Sequence, residues 1–157
     1  MAVTPRCPRR RLRGETGAGG AEVIPLALLT FVIALLVIVN AWSVVDADLA
    51  TTSAAREGVR AFVEAPDEAT GLADATAAAS GAIAGHGRST VATTVSVAYI
   101  GDAGFARCGR VTVTVRHRMP TVRIPIIGGF GHGFDAVATD SEVIDPWRGG
   151  LDGEARC

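Results

Sequence analysis

The chain has 157 residues, and its 15 basic groups, all arginine, stand against 16 acidic ones for a net charge of −1. Without lysine it has no phosphate-binding P-loop, and arginines scattered among acids after residue 46 make no basic stripe for nucleic acid. The composition is 48% hydrophobic, but the large apolar side chains crowd into one early run and leave few for a conventional core.

Residues 1–17 form a basic leader. Arg6, Arg9, Arg10, Arg11 and Arg13 against Glu15 give it a charge of about +4, which holds such a segment on the cytoplasmic side of a membrane. Glycine-rich sequence then leads to Glu22, followed by 23 residues without formal charge, Val23 to Val45. At 1.5 Å per residue that run covers about 34 Å, enough to cross a hydrocarbon layer of about 30 Å. The expectation is a transmembrane helix over 18–45, cytoplasmic at its N-terminus. Pro25 is tolerable if the helix begins near Ala21 or Glu22, because the first amides of a helix have no internal partner.

From Asp46 to Ala65 no proline intervenes, and Val45, Leu49, Thr52, Val59 and Val63 recur at helical spacing, so the helix is expected to continue outside the membrane over 46–66. Gly58 weakens it and Pro66 ends it. Leu72, Ala75, Ala79 and Ile83 then mark a second helix from Glu68 to Ala84, closed by Gly85 and Gly87. The period next changes to two. Val91, Thr93, Val95, Val97 and Tyr99 share one face of a strand; Val111, Val113, Val115 and His117 share one face of the next, with a glycine-bearing hairpin connection between. Pro120 and Pro125 make the following stretch a loop with short extended pieces, and FDAVATDSEVI is a third strand candidate. The expected fold is α+β: one transmembrane helix extended into a long exported helix, and an exported head over 67–157 with one further helix and about three antiparallel strands.

No chemistry of a familiar kind is visible. His86, His117 and His132 are isolated from one another and from carboxylates at zinc-ligand spacing, so no metal or other cofactor is expected. Ser141 with Glu142 and Asp145 lacks a nucleophile elbow and a neighbouring histidine, so no catalytic residue and no small-molecule substrate is assigned. Cys108 and Cys157 both fall in the exported part, where an oxidising compartment lets them pair; two free thiols are the alternative.

The run Gly17-Ala18-Gly19-Gly20-Ala21-Glu22, directly after a basic leader and directly before an apolar span, resembles the processing site of type IV prepilins. The resemblance implies that a membrane aspartyl peptidase cuts after Gly17, leaving Ala18 as the new terminus and Glu22 as the fifth mature residue. The new amine would approach Glu22 of a neighbouring subunit and set the stagger of an assembly. With RGETGAGGAEVIPLALLTFVIALLVIVNAW, AAREGVRAFVEA, RCGRVTVTV, PIIGG and SEVIDPWRGGL, the chain from Arg13 onward is similar to the TadE-like proteins of actinobacterial tight-adherence systems. Val23 stands where that family often has an aromatic residue. The likeness implies a non-catalytic pseudopilin of a Flp-type pilus or secretion apparatus. Its implied partners are the prepilin peptidase, other pilins or pseudopilins and the inner-membrane platform. Two other expectations compete with it. One is a stand-alone single-pass binding domain that keeps its leader; the other is a secreted domain cut near Ala47, opposed by the length of the span and by Asp46.

Overall fold

The computed structural model describes residues 19–119, 123–124, 128–129, 133–153 and 156–157, with backbone alone at 19–22, 123–124 and 128–129. Its elements run α1 (Gly19–Glu64), α2 (Glu68–Gly85), a 3-10 turn (Thr90–Ala92), β1 (Thr93–Ile100), β2 (Arg110–Met119), β3 (Arg123–Ile124), β4 (Gly128–Gly129) and β5 (Phe134–Val143). The class is α+β: a long apolar N-terminal helix, a second helix and a three-stranded antiparallel sheet in the order β1-β2-β5. The leader over 1–17 lies outside the described residues.

α1 begins at Gly19 rather than at Ala21 or Glu22, so Pro25 is inside the helix and not within its first turn. Its missing amide leaves the carbonyl of Ala21 without the usual helical partner. The chain divides within α1 into two compact units, Met1–Ile38 and Val39–Cys157. In the second, the C-terminal half of α1 belongs to one packed body with α2 and the sheet.

Alanine rather than leucine dominates the buried stripe of this half of α1. Ala47, Ala50, Ala54 and Ala55 are buried with Thr51, Val59, Phe62 and Val63, whereas Val45 and Leu49 are exposed. The spacing rule found the helix but chose part of the wrong face, because close approach between layers selects small side chains over greasy ones. Gly58 shows how close: a Cβ there would lie 3.3 Å from the Ala75 carbonyl oxygen and 3.3 Å from Val113 Cγ1. Gly58 is thus a packing requirement as well as a weak helix former.

Asp67 caps α2, accepting from the Thr70 amide at 2.9 Å and from the Thr70 hydroxyl at 3.0 Å, which satisfies an amide the helix leaves free. These bonds, the backbone one foremost, hold the Asp67 carboxyl below its ordinary pKa. The buried face of α2 is Gly71, Ala75, Ala79 and Ile83; Leu72, expected on that face, is exposed and Gly71 takes its place. The reason is Phe62, whose ring and carbonyl would sit 3.2 Å from a Cβ on Gly71.

β2 is the central strand. Val111, Val113 and Val115 are wholly buried against the helices, and β1 aligns with it antiparallel, Val95 opposite Val115 and Val97 opposite Val113. β5 closes the other side, with Thr114 opposite Thr139 and Met119 opposite Phe134. Arg110, Thr112, Thr114, Arg116 and Arg118 alternate onto the sheet's outer face, since side chains of a strand change sides at each residue. β3 and β4 pair within the proline-interrupted stretch, Arg123 opposite Gly129. Val91, expected on the core face of β1, instead falls in the 3-10 turn before the strand and is exposed. Phe62 meets Tyr99 and Phe105 edge-on, with ring centroids 6.1 Å and 5.5 Å apart, so three aromatic rings fill the space beneath the start of α2.

Candidate functional site

Gly17 and Ala18 lie outside the described residues. Glu22 falls on the first turn of α1, where free amides and the helix dipole favour an anion. From Val23 to Val45 the large apolar side chains Ile24, Leu26, Leu29, Phe31, Ile38 and Trp42 are all exposed. α1 is long and apolar enough to cross a membrane by length and composition.

At the end of the uncharged run the head begins with an ion-pair collar. Arg88, just past the end of α2, donates from Nε and Nη2 to Asp46 Oδ2 at 3.0 Å and 2.7 Å, and from Nη2 to the Ser43 carbonyl at 2.9 Å. It therefore ties the end of α2 to the first charged turn after the apolar run of α1, and His86 Nδ1 lies 3.9 Å from the same carboxylate. Next to this collar His117 is buried on β2, its Nδ1 sharing a 2.9 Å hydrogen bond with Thr93 Oγ1. Burial, then the Arg88 charge, lowers the His117 pKa and favours the neutral ring.

The opposite end of the head is strapped shut. Cys108 and Cys157 are joined, with Cα atoms 5.3 Å apart across a sequence separation of 49. Backbone bonds run beside the bridge, from the Cys108 amide to the Ile144 carbonyl at 3.0 Å and from the Arg107 amide to the Asp152 carbonyl at 2.8 Å. The tail also closes α1: Arg148 donates to the carbonyls of Val63, Glu64 and Ala65, acceptors that a helix C-terminus leaves free. Arg107 Nε holds the Arg148 carbonyl at 2.8 Å. Neither arginine stood out in the sequence, because each acts on groups more than forty positions away and carries no spacing signal.

A shallow groove of about 240 Å³ runs between α1 and β5, lined by Thr52, Ala55, Arg56, Val137, Ala138 and Asp140. Its charges are Arg56 and Asp140, 3.9 Å apart, and it holds no nucleophile-base pair. Among the described residues no three histidine, cysteine, aspartate or glutamate side chains converge on a metal-sized site. Burial pushes the Tyr99 phenol up to about 12, with the nearby Glu68 adding to the shift; such a group stays protonated at neutral pH and serves packing. No protein-family model matches the chain, and no curated protein and no solved structure matches it either.

Proposed function

We propose that the chain is a structural, non-catalytic pseudopilin-like component of a tight-adherence pilus or related secretion apparatus. It is held in the cytoplasmic membrane by α1 with its head outside. The observation that carries this reading is one carboxylate, Glu22, on the first turn of a helix whose next 23 residues bear no charge and which runs unbroken to Glu64. An acid at that boundary is costly unless water or a cation meets it. In this reading the cation is the α-amine exposed by cleavage after Gly17, supplied by a neighbouring copy or relative, and the pairing rewards one stagger between adjacent helices.

The test is the N-terminal residue of the protein recovered from membranes that contain the peptidase, read by mass spectrometry. Ala18 supports the proposal. Met1 or Ala2 leaves a plain anchor for a binding domain, and Asp48 a secreted head. Glu22→Ala should preserve insertion and lower incorporation into the assembly; unchanged incorporation counts against the role given to Glu22.

A further inference from the structure

Where α1 enters the head, exposed apolar side chains lie close to the end of the uncharged run. Met119 and Ala136 pack on Ala47, which places that end of the sheet beside α1 about 7.5 Å, five residues of helix, beyond Trp42. Phe134 pairs with Met119, and Val91 precedes by two residues Thr93, the partner of His117, so both lie at this end. Trp42 is 75% exposed, Phe134 56% and Val91 95%. All three lie near the point where the uncharged run stops at Val45 and the first charge, Asp46, follows.

We propose that this end of the head is a second membrane contact, with Val91 and Phe134 seated at headgroup level on the bilayer that α1 crosses and Trp42 just below them in the interfacial layer. The inference rests on the membrane-anchored reading of α1. Three features favour lipid over a protein partner. The patch follows the exposed apolar residues of α1 that end at Val45, a tryptophan marks its edge toward the span as at membrane interfaces, and the polar collar of Asp46 and Arg88 stands among the apolar groups as headgroup-level residues do. Among the described side chains at this end, Arg88, Arg116 and Arg118 stand against Asp46, Asp48 and Asp135, two of these pairs are joined, and the other titratable groups are His86 and His117; Arg123 follows in the connection between Met119 and Phe134.

The experiment uses the full chain in phosphatidylcholine vesicles, with one tryptophan per variant and lipids carrying a nitroxide near the headgroup or near the acyl terminus. The reporters are Trp42 alone, Trp147 alone, and Phe134→Trp or Val91→Trp in a background with Trp42→Phe and Trp147→Phe. Trp147 is the internal control. It follows Ile144, which bonds to Gly109 at the other end of β2, about 30 Å along the strand from Met119. The proposal expects emission at 134 and 91 to fall about twofold with the shallow nitroxide and less with the deep one, and Trp147 to be unaffected. Quenching of Trp42 without quenching at 134 or 91 overturns the second contact and leaves the anchor standing. No quenching of Trp42 removes the anchor and this inference together. Shielding of 134 and 91 from both nitroxide and aqueous acrylamide assigns the patch to a protein neighbour and also overturns it.

Discussion

Arg148 places a charged guanidinium on three carbonyls at the end of α1, and charge-assisted hydrogen bonds of this kind contribute more than neutral ones. Arg148→Ala should cost about 1.5–3 kcal/mol in chemical unfolding of the purified chain. Phe62→Ala should cost more, about 3–5 kcal/mol, because it empties the space shared with Tyr99, Phe105 and Gly71. His117 gives a pH signature. Its folded pKa lies below the ordinary value of 6.5, so the unfolded chain binds the proton more readily. The stability contributed by the neutral ring is complete above about pH 6.5 and falls as acidification drives protonation of the unfolded state. His117→Gln should flatten that part of the profile, measured as the unfolding midpoint between about pH 7.5 and pH 5.

At the scale of elements, the tail is fixed by a covalent link and the sheet by its register. The Cys108–Cys157 bridge closes a 49-residue separation, for which loop-closure entropy predicts a loss of about 4 kcal/mol on removal. Replacing both cysteines with serine should lower the unfolding midpoint accordingly and expose the segment after Val143 to proteolysis before the rest of the head. Much of this level was legible in the sequence. Period two in Val111, Val113 and Val115 reports a face buried against a second layer whatever that layer is, and Pro66 announces the break between the helices, whereas the Asp67 cap emerged only in the structure. The helical faces were less legible. Hydrophobicity singled out Leu49 and Leu72, while close packing buried Ala50, Ala54 and Gly71, and no property of a glycine in isolation says that a phenylalanine from another helix will lie on it.

For the whole molecule, orientation is the quantity the sequence addresses most directly. If the basic leader sets it, replacing Arg9, Arg10, Arg11 and Arg13 with glutamine should release the preference for a cytoplasmic N-terminus. The Cys108–Cys157 bridge supplies the readout, since a head left in the reducing cytoplasm stays sensitive to alkylation without added reductant. Retained bridge formation in all molecules would show that something other than these arginines orients the chain.

The linear order of residues sufficed for the long uncharged helix, for the α+β class and for the alternation of the strands, because each depends on local period, length or charge and on no distant partner. The union of Asp46 with Arg88, the closure of α1 by Arg148, the choice of alanine over leucine for the core and the outward position of Val91 arose only on folding. Each depends on how segments pack in three dimensions, and for the two arginines the partners stand 42 to 85 positions away, where spacing carries no signal.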